Sequence, residues 1–219
     1  MQSRDEQSIM CGDITVFYTQ DTDGGGSLFS NDYVITIKEL YPDRIFDRCY
    51  EWCSGPGFIG YSILGNHLCK TLCLSDIYQP ALDQASRTAI INNIEKNITI
   101  YNSDNWENIP SYEKFDLIVS NPPHFNGNVY ILDRMDANPR KYMDKDWKIH
   151  ESFYKGVKNH LSMNGVILLQ EFAWGSGLET FRSMIDAAGL KIQRHFLSNY
   201  RHPNAGYLLY YLEIVHKDV

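Results

Sequence analysis

The 219-residue chain has no long hydrophobic run. Apolar stretches such as residues 166–169 fall far short of the roughly 20 residues that span a bilayer, so no membrane association is expected. Residues 1–10, MQSRDEQSIM, lack the apolar core of a secretion signal, and a cytoplasmic location is expected. Positive charge is in short supply: 20 Lys and Arg against 27 Asp and Glu leave a net charge of -7. A surface of that sign offers polyanions no overall attraction, so nucleic acid is not expected as a partner. Cysteine is scarce and odd in number, which argues against a disulfide framework. Cys49/Cys53 and Cys69/Cys73 form C-x3-C pairs rather than the C-x2-C of common zinc knuckles. They fall where buried strands are expected, so they read as core residues and no metal is called for. No internal repeat, low-complexity tract or Pro/Ser-rich linker divides the chain.

The composition is that of a folded globular domain, with 43% hydrophobic and 21% charged residues. Its dominant pattern is alternation. Residues 33–40 suit a helix with Ser30 or Asn31 as cap and Pro42 as stop. RCYEWC then reads as a strand, FIGYSILGN as a helix and residues 70–74 as a second strand. Residues 80–95 suit a helix begun by a proline, and residues 98–101 a third strand. FDLIVS, nearly all apolar, suits a parallel strand covered on both faces. Residues 151–161 predict another helix, 165–172 a fifth strand, and 178–188 a helix ended by Gly189. LKIQRHFL and YLLYYLEIV follow with only a short loop between, so they should form an antiparallel edge hairpin. These units predict an α/β, Rossmann-like sheet with helices on both faces. The long polar segment 126–148 predicts a functional loop.

Four features carry chemistry. EWCSGPGFIG, residues 51–60, puts glycines at the first strand-to-helix turn, where the backbone can approach a ligand closely. Asp76 ends the second strand, 16 residues after Gly60, where a carboxylate can accept from both hydroxyls of a ribose. Asp104 follows the third strand and could accept from an adenine amino group or turn the chain. Ser120-Asn121-Pro122-Pro123-His124-Phe125 follows the buried fourth strand. Its two prolines stiffen the chain and leave carbonyls exposed, so Asn121 and Pro122 can accept hydrogen bonds from a substrate NH group.

In that order, these features resemble the class I S-adenosylmethionine-dependent methyltransferases, specifically the amino-methylating group with an Asn-Pro-Pro-aromatic motif. Release-factor glutamine methyltransferases, some ribosomal RNA and protein methyltransferases and adenine-N6 DNA enzymes belong to that group. The resemblance runs from about Asp47 to the C-terminus and implies a seven-stranded sheet of order 3-2-1-4-5-7-6 with strand 7 antiparallel. It implies residues 46–219 as the catalytic domain, with 1–45 an N-terminal extension and helix. S-adenosyl-L-methionine is the implied cofactor and S-adenosyl-L-homocysteine the product. Glu51, Ser54, Gly55 and Gly57 would surround its methionine part, Asp76 its ribose, Ile77 the adenine face and Asp104 the adenine edge. Asn121 and Pro122 would hold the acceptor nitrogen. His124 stands where the family generally has Tyr or Phe, and an imidazole can stack, hydrogen-bond or act as a base.

Phe125, Trp147, His150 and Glu171 are further candidates for substrate contact. For Trp147 and His150 packing is the competing role, and for Glu171 an exposed rim charge. Tyr207, Tyr210 and Tyr211 read as hairpin and core surface. The expected activity is N-methylation of an amino or amide nitrogen, first of a small metabolite, next of a protein glutamine, then of a nucleobase. Residues 126–150 with 24–32 could close over the substrate as a lid. The rival of another class is an NAD(P)-dependent oxidoreductase, because GPGFIG matches G-x-G-x-x-G literally. The Asn-Pro-Pro-His segment and the terminal hairpin have no role in hydride transfer and argue against it.

Overall fold

The computed structural model describes residues 5–127, 141–199 and 209–218. A hairpin opens the chain, β1 (Gln7–Cys11) and β2 (Ile14–Tyr18), followed by α1 (Gly26–Leu40). The strand–helix alternation then runs β3 (Phe46–Trp52), α2 (Phe58–Gly65), β4 (Cys69–Asp76), α3 (Gln79–Ile91), β5 (Ile98–Asn102) and β6 (Phe115–Ser120). It ends with α4 (Lys148–Val157), β7 (Leu161–Phe172), α5 (Arg182–Ala187), β8 (Leu190–Leu197) and β9 (Leu209–His216).

Seven strands form one sheet in the order β5-β4-β3-β6-β7-β9-β8. The first five pair in parallel, and β9 inserts antiparallel between β7 and β8. This is the expected Rossmann-like methyltransferase sheet, with its terminal hairpin at the edge. Side chains alternate between the two faces. Val166 and Leu168 of β7 and Tyr211 of β9 join one apolar cluster, while Ile167, Leu169, Leu212 and Ile214 join the other. Phe115 breaks the alternation by packing on the opposite face from Leu117, because the register shifts between them.

The structure departs from the sequence reading at several points, among them the ends of α3 (Ile91, not residue 95) and α5 (Arg182–Ala187, not 178–188). The helix expected at residue 33 begins at Gly26, because the Asp23 carboxylate accepts the N–H groups of Gly25 and Ser27 (2.7 and 3.4 Å) and starts it earlier. Strand β7 starts at Leu161, which pairs with Phe115, so residue 161 extends the sheet rather than α4. The β1–β2 hairpin was not anticipated. Gly12 makes its turn at φ 62, and a Cβ there would lie 2.3 Å from the carbonyl oxygen of Gly65.

The segment before residue 46 packs into the main core: Val16, Tyr33 and Ile37 are fully buried in the cluster that holds Leu72 and Leu117. Part of the expected lid, residues 26–32, is the first half of α1. The remainder of that lid at 128–140, and the hairpin loop with Tyr207, lie outside the described residues. Among the described residues no helix is long and apolar enough to cross a membrane.

Candidate active site

At the carboxyl ends of the parallel strands the chain leaves a cleft of about 200 Å³, where an open α/β sheet binds its ligand. Strand β3 feeds it through a turn with Gly55 at φ 52 and Gly57 at φ 90. Gly57 has no room for a side chain, since a Cβ would meet Leu74 at 2.8 Å and Tyr61 at 2.9 Å. Glu51 secures this turn. Its buried carboxyl accepts the N–H of Gly60 (2.7 Å) and of Ile59 (3.3 Å) at the start of α2. Burial nevertheless dominates and pushes Glu51 up to about 8, against those two N–H groups and with the help of the nearby Asp76 charge.

Asp76 ends β4, with one oxygen accepting the N–H of Gly55 (2.8 Å) and the other that of Tyr78 (2.9 Å). Burial raises its pKa, and these N–H groups act the other way. Beside it Ile77 is 59% exposed on the cleft wall, an apolar surface suited to a flat ring. After β5, Asp104 is exposed and Asn105 buried. The Asn105 amide nitrogen donates to Asp104 (3.0 Å), and its buried oxygen has no partner among the described residues. Lys141 closes the far wall, donating to the carbonyls of Gln20 and Asp23 (both 3.0 Å).

Strand β6 delivers Asn121 to the same cleft. The Asn121 amide nitrogen donates to the side-chain oxygen of Gln170 (3.0 Å) and more weakly to its carbonyl (3.4 Å). Among the described residues Asn121 Oδ1 has no hydrogen-bond partner and is free to accept. Beneath the corner lies a buried charge network. Glu171 accepts from His124 Nδ1 (3.3 Å), His150 Nε2 (3.1 Å) and the Ser176 hydroxyl (2.8 Å). The other nitrogen of His150 donates to Asp144 (2.6 Å), whose carboxylate also accepts the N–H groups of Ile149 and His150 at the start of α4. Two carboxylates around one imidazole keep both of its nitrogens protonated. Burial works against that charge, but Glu171 and Asp144 outweigh it and raise the His150 pKa. Burial likewise works against the Glu171 charge, yet His150 and the bond from His124 bring it down to about 2.

Of the residues singled out in the sequence, Glu51, Ser54, Gly55, Asp76, Ile77, Asp104 and Asn121 line the cleft together. Gly57 shapes the turn behind it. Pro122 is buried and does not line it, whereas Pro123 does. His124, Phe125, Trp147, His150 and Glu171 also lie outside the lining. His150 stacks on Phe181 (4.0 Å) and Trp147 packs edge-on against the same ring, so both have the competing packing role. Glu171 is neither a rim charge nor a lining residue. It is fully buried, which a carboxylate tolerates only with partners such as these two imidazoles. Sequence reasoning missed Asn105, Lys141, Asp144 and Gln170. For Gln170 a signal existed: two polar residues, Gln170 and Glu171, interrupt the apolar strand VILLQEF.

The sheet and its cleft define a Rossmann-like α/β protein with an open site at the strand ends. Residues 8–150 match the methyltransferase small domain family, and the chain belongs to that family. It is 42% identical over 75 residues to the release factor glutamine methyltransferase of Leptospira interrogans, a match covering 34% of this chain and 26% of that protein. It is 35% identical over 112 residues to the ribosomal RNA small subunit methyltransferase C of Actinobacillus pleuropneumoniae, covering 51% and 31%. The matched segments thus span about a quarter to a third of these relatives' lengths. Among solved structures, M. jannaschii TYW2 in complex with AdoMet superimposes with a TM-score of 0.61 at 12% identity, covering 99% of this chain and 89% of that one.

Membership in this S-adenosylmethionine-dependent family sets the oxidoreductase reading aside. It also corrects the expectation about partners. A ribosomal RNA methyltransferase among the relatives overturns the exclusion of nucleic acid. Net charge sums the whole surface, whereas substrate choice depends on the few groups around a site.

Proposed function

We propose that this protein is an N-methyltransferase that uses S-adenosylmethionine to methylate an amino or amide nitrogen held at Asn121. The cleft suits that cofactor chemically. Its carboxyl groups at Glu51, Asp76 and Asp104 match an amine, a ribose diol and an adenine edge, and Ile77 offers a surface for the ring. Ser54 and Gly55 complete the wall under the methionine part, with Gly57 shaping the turn. When bound, this group supplies a methyl on a sulfonium, already activated toward a nucleophile.

What the chain must add is position. The observation that carries the reading is the tethered Asn121 amide, whose nitrogen is engaged by Gln170 and whose oxygen has no partner among the described residues. That oxygen holds an N–H-bearing nitrogen and stabilises the positive charge that develops there. That nitrogen gains a methyl carbon and loses a proton. The proton leaves to water, since His124, held through Nδ1 by Glu171, lies outside the cleft lining. Such an acceptor could belong to a small metabolite, a glutamine side chain or a base of RNA, and the relatives' substrates weigh toward the macromolecules.

The test is methyl-labelled cofactor incubated with fractionated cell extract, comparing the parent protein with Asn121→Ala. Label should enter one fraction, turnover should fall about 100-fold or more in the variant, and cofactor affinity should stay within about threefold. Equal losses of turnover and cofactor affinity would contradict the assignment of Asn121 to the acceptor.

A further inference from the structure

An amide turned by 180° would present donors to the cleft where Asn121 now presents an acceptor, so something must hold its polarity. The determinant lies behind the cleft, on α1. Asp32 is buried, and its Oδ2 accepts the hydroxyls of Ser198 (2.5 Å) and Tyr211 (2.9 Å). A carboxylate only accepts, so each hydroxyl directs its single proton to Asp32. Toward Gln170 both hydroxyls can then only accept, and both lie 3.1 Å from the Gln170 side-chain nitrogen. That consumes the two protons of the Gln170 NH2 group and turns its oxygen the other way, onto the nitrogen of Asn121. Asn121 is left with its oxygen free. Every donor and acceptor along this path has one permitted sense, set by the carboxylate at its end, and the weaker bond from the Asn121 nitrogen to the Gln170 main-chain carbonyl (3.4 Å) acts in the same direction.

The scaffold around the path is rigid. Tyr33 donates to the carbonyl of Ser120 (2.6 Å) and accepts the backbone N–H of Gln170 (3.0 Å), clamping the residues that precede Asn121 and carry Gln170. Gln170, Tyr33 and Tyr211 are fully buried, so water does not compete for these bonds. The other oxygen of Asp32 is buried without a partner among the described residues. An acid desolvated on one side is a cost to folding, and stability alone would favour an apolar residue there.

We infer that Asp32 is a positioning residue: through Tyr211, Ser198 and Gln170 it fixes the polarity of the Asn121 amide and makes the site select acceptors that donate N–H. The inference rests on the proposed role of Asn121. Removing the carboxylate frees the hydroxyl protons to turn toward Gln170, which can then flip and let Asn121 flip with it.

The experiment moves the carboxylate. With methyl-labelled S-adenosylmethionine and cell extract as probe, Asp32→Ala should lower turnover about tenfold or more while cofactor affinity stays within about threefold. Adding Gln170→Glu should restore turnover to within about threefold of the parent, because a carboxylate at 170 again accepts from Asn121 and from both hydroxyls. Tyr211→Phe keeps the ring and removes one hydroxyl, and should give a smaller loss of turnover. Side-chain amide NMR provides a readout without an acceptor: the Asn121 NH2 protons should be protected from exchange in the parent and the double variant, and lose protection in Asp32→Ala. Unchanged turnover and protection in Asp32→Ala and Tyr211→Phe, or a loss that Gln170→Glu leaves uncorrected in a folded protein, would overturn the inference. If Asn121→Ala itself retains full turnover, the proposed function fails first.

Discussion

Glu51 should make both stability and cofactor binding depend on pH. In the unfolded chain its carboxyl loses a proton near the ordinary value of 4.5, whereas burial in the fold holds the proton up to about 8. Across that window the folded state binds more protons than the unfolded one, so stability is greatest at the acid end and falls as pH rises. At about 1.4 kcal/mol per pH unit, the loss from this one group is about 4 kcal/mol between pH 5 and pH 8. Urea denaturation of the parent and of Glu51→Gln at several pH values isolates it, because the variant retains every other titrating group. The parent should lose about 4 kcal/mol relative to the variant over this range. Binding adds a second readout. The cationic amine proposed to lie beside Glu51 favours the carboxylate, so cofactor binding at pH 7 should release about one proton, measured by calorimetry in two buffers of different ionisation enthalpy. Parallel stability profiles, together with no proton release, would refute the reasoning.

The network beneath the acceptor corner has an opposite pair of pH limits. Glu171, held at about 2, contributes stability that is present above its ordinary value of 4.5 and lost as pH falls toward 2. His150, raised above 6.5, contributes below that value and loses its contribution as pH rises through the raised one. Glu171→Gln should therefore cost about 3–5 kcal/mol at pH 6 and lower the His150 titration followed by NMR, and an unchanged His150 midpoint would count against the pairing. Gly57→Ala should abolish measurable cofactor binding and reduce stability, because its Cβ would overlap Leu74 and Tyr61 at a positive φ. Full binding by that variant would show that the turn is more tolerant than its geometry implies.

Much of the frame was legible because its signals are local. The apolar run FDLIVS could only be a strand covered on both faces, and two strand-like runs without room for a helix between them had to be a hairpin. The order of Glu51, Asp76, Asp104 and Asn121 along the chain placed them at successive strand ends, and the fold brings them to one cleft. What escaped depends on distant partners. Nothing near Glu171 in sequence reveals that His124, His150 and Ser176 enclose it. Nothing near Asp32 reveals Ser198 and Tyr211. The opening hairpin was missed although Gly12-Asp13 between two short alternating runs is a turn signal, because five-residue strands carry little periodicity. Net charge misled for a different reason: it is a property of the whole surface and was applied to a site.

On the proposed reading, Asn121 presents oxygen to a nitrogen beside a cofactor seated over Gly55. A crystal structure with S-adenosylhomocysteine tests it most directly. Ribose hydroxyls should lie on Asp76, adenine against Ile77, and Asn121 Oδ1 should face the space next to the thioether sulfur while its nitrogen stays on Gln170. An empty cleft, or a ligand seated with Asn121 turned to offer its NH2 group, would contradict it.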